Sequence, residues 1–283
     1  MKRALLIITI SVITSCNKKI QNTCKIPNSL KNKITDVLNN KIDSEEGFYD
    51  INNYLFAKEA EKKYHKTDSL KNIKSCDLYA KSLESFFQSE NVYKRALSYR
   101  LIGFMKDSLY NNKLIKRLSE GEKTILKQWN IIALMDNKVP NTSDLIFEQF
   151  VNDTSLPIQI LGGIFVKYDD VAVKQTCWKN IDSKNKKAQI LSIQFLASYG
   201  RDEKLLQKIR EFTVKWEEDY QGYLLSALSM QNEGNIKELV VPYENTKNDR
   251  LRNQIISTLE NSPTSEDQLY AEKLKKLNTA KPK

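Results

Sequence analysis

Residues 159–165 read QILGGIF, and residues 189–195 read QILSIQF. The second stretch restates the first about 30 residues later, an offset typical of repeat architectures. A third, QIIS at 254–257, lies two such offsets beyond QILS at 189–192. YLLSALS (223–229) falls between them, and ALSYRLIGF (96–104) and ILKQWNIIAL (125–134) occupy equivalent places upstream. The physical reason for such repetition is burial. One helix pair cannot bury its apolar face alone, whereas stacked pairs share a continuous core.

Working outward, the units fall at about 90–119, 120–151, 153–182, 184–216, 218–245 and 248–277. Each reads as a first helix, a turn and a second helix. Leu205, Ile209, Phe212 and Trp216 stand at helical spacing in one second helix, and Ile236, Leu239, Val240 and Tyr243 in the next. Ser119-x-x-Glu122 and Ser265-x-x-Gln268 fit the reciprocal capping box. Gly200 and Gly234 fall between first and second helices, where positive φ is expected. Upstream, Leu30, Ile34, Val37, Leu38 and Ile42 form an amphipathic stripe that Asn28 or Ser29 would cap. A second helical segment spans about 46–64, and a third starts near Asp68 with Leu70, Ile73, Ala80, Leu83 and Phe87 inward. Glycine (8) and proline (6) are scarce and long alternating runs are absent, so the chain is all-α.

NDRLRNQIISTL (248–259), with Asp249 and Arg252, and YGRDEKLLQKI (199–209) resemble the HEAT-repeat family of α-solenoids. The resemblance implies about six stacked antiparallel helix pairs, each of roughly 30–33 residues. The family's first-helix proline is missing from most units, Pro157 being the nearest match, and alanine is sparse. A tetratricopeptide-like or another helical array is the alternative.

The first residues decide location. Lys2 and Arg3 precede an apolar run from Ala4 to Ile13, too short to cross a bilayer. Ile13-Thr14-Ser15-Cys16 follows, and the segment resembles a bacterial lipoprotein signal peptide with its lipobox. That resemblance implies cleavage before Cys16 and acylation of its thiol and amine, a membrane anchor at the cell envelope rather than a span. The expected organisation is a signal peptide (1–15), a lipidated tether (16–27), an N-terminal helical region (28–89), the repeats (90–277) and a tail (278–283).

The net charge is +10. Export and the even spread of lysine argue against nucleic acid. Lys18, Lys19, Lys25, Lys31 and Lys33 follow the lipobox with no acid before Asp36, a set that suits either an anionic membrane surface or a solvated tether. Cys24 and Cys76 could pair by disulfide, whereas Cys177 lies on an apolar helix face as a buried thiol.

No motif carries chemistry. The one histidine, His65, lies in the charged run EKKYHKTD. Asp169-Asp170 and Glu217-Glu218-Asp219 lack the ligand alternation of a calcium loop and read as first-turn charges. The reading is therefore non-catalytic, with neither cofactor nor metal. Trp129, Trp178 and Trp216 read as packed between helices.

The second helices carry Lys113, Lys116, Arg117, Lys174, Lys204, Lys208, Lys237, Lys273 and Lys276. In HEAT-like solenoids the second helices usually line the concave, partner-binding face. The resemblance thus implies partner contacts through Lys174, Lys204, Lys208, Lys237 and Lys273, with an acidic protein as partner; lysine filling exposed helix positions is the plain alternative. Four functions remain open: a protein-binding scaffold, an immunity protein against a toxin, a glycan-binding surface component, or a subunit of an envelope enzyme complex.

Overall fold

The apolar stripes find their partners in helix pairs. The structure, a computed structural model, describes residues 27–65 and 77–279. The segments expected to be a leader and a tether, with Cys16 and Cys24, lie outside the described residues up to Pro27, as do Leu70, Ile73, Cys76 and the side chain of His65. Among the described residues there is no strand, and no helix is long and apolar enough to cross a membrane.

The chain divides into two compact units at Lys94/Arg95. In the first, α1 (Asn28–Leu38) packs against α2 (Ser44–His65) and α3 (Asp77–Phe87). Leu30, Ile34 and Val37 are fully buried, as the stripe requires. Three details differ from expectation. The residue before α1 is Pro27, with no side-chain cap. Asn40, at φ 54°, turns the chain after α1, so Ile42 packs beside Gly47 outside the helix. Ala80 is exposed, and Tyr79, Leu83, Phe86 and Phe87 form the inner face of α3 instead.

Six successive helix pairs follow, the first of them beginning just before the boundary and the rest within the second unit. They are α4 (Val92–Met105) with α5 (Asn111–Glu120), α6 (Thr124–Asp136) with α7 (Ser143–Asn152), and α8 (Ile158–Tyr168) with α9 (Asp170–Asn180). Then follow α10 (Lys186–Ala197) with α11 (Glu203–Lys215), α12 (Glu218–Met230) with the short α13 (Lys237–Val240), and α14 (Asp249–Glu260) with α15 (Ser265–Thr279). First helices pack on first helices: α6 on α8, α10 on α12, α12 on α14. Both quoted stretches lie on first helices and supply core. Leu161, Phe165, Ile190, Leu191, Ile193 and Phe195 are buried, and the rings of Phe165 and Phe195 stand 5.4 Å apart. Gly162 permits this approach, since a β-carbon there would meet the Phe195 ring at 2.7 Å.

Polar caps close the pairs. Asp169, Asn185, Asp202 and Asn248 each accept from backbone N–H groups at the start of α9, α10, α11 and α14. Gly200 has φ 96°, as expected. Gly234 does not have positive φ; Asn232 and Asn235 take that conformation, and Gly234 instead lets Thr264 approach within 2.6 Å of where a β-carbon would stand. Neither capping box forms as read. Ser119 lies inside α5, donating to the Ile115 carbonyl, because the helix runs on to Gly121 at φ 84°. Before α15, Ser262 and Thr264 donate to Asp267, at 2.6 and 2.8 Å, and Gln268 donates to the Ser262 carbonyl.

The stripe from Ile236 to Tyr243 is only partly helical. α13 has four residues and passes into a 3-10 turn, Val241–Tyr243, that contains Pro242. Proline removes the N–H that would continue the ladder and clashes with the preceding turn. Ile236 and Val240 are nevertheless buried, so the apolar spacing serves the core without a full helix.

Candidate functional site

Amphipathic second helices turn their polar residues outward, and five lysines there are the candidate partner contacts. Each lies across an aromatic ring. Lys174 on α9 stands 4.4 Å from the Tyr199 ring centre and 3.7 Å from Asp170. Lys204 on α11 stands 4.1 Å from Trp178 of α9. Lys208, one turn on, is 5.4 Å from Phe212 and pairs with Asp182 at 2.8 Å and Glu211 at 3.6 Å. Lys237 pairs with Glu266 at 2.7 Å. Lys237 and Lys273 share the Tyr270 ring, at 5.6 and 5.7 Å. A lysine stem covers apolar surface while its ammonium meets the negative face of a ring, worth about 0.5–1 kcal/mol when exposed.

The five do not converge on one patch. Lys204 and Lys208 line one groove, Lys237 and Lys273 flank one tyrosine, and Lys174 sits apart by Tyr199. Lys174, Lys208 and Lys237 each pair with carboxylates, so the net positive field expected of these helices is largely neutralised. The hydrogen bond from Lys208 to Asp182 holds the ammonium above its ordinary range, and Glu266 does the same for Lys237. Lys204 and Lys273 make no ion pair with a carboxylate among the described residues.

The groove is bounded by α9 and α11. Trp178, Ile181, Asp182, Lys204, Gln207 and Lys208 line about 240 Å³, with Glu211 beside them. Trp178 is half-buried and forms the aromatic wall. Lys204, Gln207, Lys208 and Glu211 recur at helical spacing, so that face of α11 is readable from sequence. The part of Trp178 is not, because it comes from the second helix of the preceding pair. Another hollow of about 160 Å³, on the first-helix side, is lined by Gln194, Glu218, Asp219, Tyr223, Asn248 and Arg250.

The remaining candidates take structural places. Asp169 caps α9, accepting from Ala172 N–H at 3.0 Å, and Asp170, Glu218 and Asp219 occupy first turns. No group of three metal-ligating side chains gathers among the described residues. Cys177 is a buried free thiol, and burial pushes its pKa up to about 12. Trp216 is buried under Lys186, whose ammonium lies 4.2 Å from its ring, while Trp129 is half-buried with Arg100 at 5.9 Å.

No family model, no curated protein and no solved structure matches this chain.

Proposed function

We propose that this chain is a non-catalytic protein-binding scaffold, held at an envelope membrane by lipid on Cys16 and docking an acidic protein partner through its second helices. The observation that carries the reading is Lys204. It is an exposed cation without a carboxylate partner among the described residues, fixed over Trp178 at the rim of an open groove between two second helices. A repeat stack supplies an extended rigid surface for such contacts. The Ile13-Thr14-Ser15-Cys16 motif supports the anchor and the envelope location.

Two experiments test this. The lipidated chain is crosslinked mildly in its host, extracted in detergent and captured, and co-purifying protein is identified by mass spectrometry. A stoichiometric partner with an acidic contact surface is the expected result, and capture of the chain alone overturns the scaffold. Separately, Cys16→Ala is expected to leave the chain unprocessed or release it from the membrane fraction. Unchanged processing and fractionation would remove the anchor.

A further inference from the structure

Between the fourth and fifth pairs, the two sides of the stack are joined differently. On the first-helix side, α12 lies against both α10 and α11 and carries α14 beyond it. Two buried glutamines pin its ends. Gln221, in its first turn, donates to the Thr213 and Trp216 carbonyls at 3.1 and 2.8 Å. Gln231, just past its last turn, donates to the Ala197 and Gly200 carbonyls at 2.9 and 2.6 Å and accepts from the Asp202 N–H. These bonds start on α12 itself, so a small roll of the helix strains them little.

On the second-helix side the links are fewer. α13 stops after four residues and makes little direct contact with α11. Glu233, in the turn before α13, is clasped by Arg201 at 2.9 Å and Arg210 at 2.5 Å. The Tyr243 hydroxyl donates to the Thr213 carbonyl at 3.3 Å. Both arginines are about half-exposed, and ion pairs with solvated cations are weak. Release strands few groups. Arg201 also holds Glu203, at 2.8 Å, and the Thr213 carbonyl keeps its bond from Gln221.

The fifth and sixth pairs, in contrast, are tied on both sides. α12 packs on α14. Asp267 of α15 accepts from the Ile236 and Lys237 N–H groups, Lys237 pairs with Glu266, and Tyr270 donates to Glu244 at 2.5 Å.

We propose that the junction between the fourth and fifth pairs is a hinge. α12 is its pin, and Glu233 between Arg201 and Arg210 is its latch. The fifth and sixth pairs swing as one body, widening and narrowing the second-helix face between α11 and α15. Packed helices accommodate such motion by small sliding shifts. A partner that touches both α11 and α15 fits one arrangement better and draws the population toward it. The hinge does not depend on what that face binds.

The test measures distances in the full chain by pulsed electron spin resonance. Nitroxides are attached through p-acetylphenylalanine, which spares the cysteines. One labelled pair replaces Val214 on α11 and Leu269 on α15, both exposed on the second-helix side. The control pair replaces Ser198 and Asn261, exposed just past the ends of the first helices α10 and α14. The expected result is two distances between 214 and 269 and a single one between 198 and 261. Raising the salt, which screens the latch, should enlarge the longer 214–269 component. Glu233→Gln combined with Tyr243→Phe should shift the ratio of the two components about three- to tenfold the same way. A thermal melt retaining the wild-type transition establishes that the variant folds, and the salt series needs no variant. A single 214–269 distance that neither salt nor the double variant moves overturns the hinge. Equal broadening of both labelled pairs also overturns it, because it would mean loosening of the whole junction rather than rotation about α12.

Discussion

Asp267 is fully buried and is held by hydrogen bonds rather than by an ion pair. Burial alone would raise its pKa, but hydrogen bonds from Ser262, Thr264 and the Ile236 and Lys237 N–H groups outweigh burial and hold it below the ordinary carboxylate value. A depressed folded-state pKa contributes stability that is present above the unfolded value, about 3.9, and is lost as pH falls through the folded one. Melting temperature should therefore fall in acid with a component that Asp267→Asn lacks. At neutral pH the substitution should cost about 1–3 kcal/mol, because it turns an acceptor into a donor facing N–H groups. Denaturant melts from neutral pH down to about 3 check both. The same residue marks the limit of what sequence discloses. A polar cluster before α15 is visible as Ser265-x-x-Gln268. That the carboxylate of Asp267 starts a different helix, α13 of the preceding pair, is a fact of stacking. The five lysines share that limit: their positions on α9, α11, α13 and α15 follow from helical spacing, but the rings beneath them come from packing.

Among the elements, α8 offers two adjacent glycines with opposite expectations. Gly163 is exposed, with nothing within 4 Å of a β-carbon, so Gly163→Ala should stabilise by about 0.5–1 kcal/mol through helix propensity. Gly162→Ala should destabilise, since its methyl would press on the Phe195 ring. Paired thermal melts compare the signs, and equal shifts would mean that α8 and α10 are farther apart than described. Nothing local in QILGGIF separates the two glycines; the distinction arises only when the second quoted stretch is laid against the first. Loss of the α10 cap in Asn185→Ala should cost about 1 kcal/mol in the same assay. The stripes of α1, α11 and α14 are legible because amphipathic helices repeat their apolar residues. α13 reads as a full helix in sequence, wrongly, because Ile236, Leu239, Val240 and Tyr243 keep the spacing while Pro242 interrupts the ladder.

At the level of the whole molecule, the order of pairs decides how damage spreads. Stability in a stack is a sum of pair terms and nearest-neighbour interfaces. Leu191 is buried on α10, between pairs on either side, and Leu191→Asp should abolish cooperative melting of the second unit. Leu274 is buried on α15 in the last pair, so Leu274→Asp should loosen that pair while amides of α6 to α10 keep their hydrogen-exchange protection. Uniform loss of protection would show that the six pairs fold as one block. The fifth pair carries a consequence of another kind. Its second helix has four residues where its neighbours in the row have 13 and 15. Drawn out by its two ends, the second unit would meet least resistance there. A force ramp should find the fifth pair giving way before its neighbours, at a seam that heat and denaturant, which act on all pairs at once, do not single out.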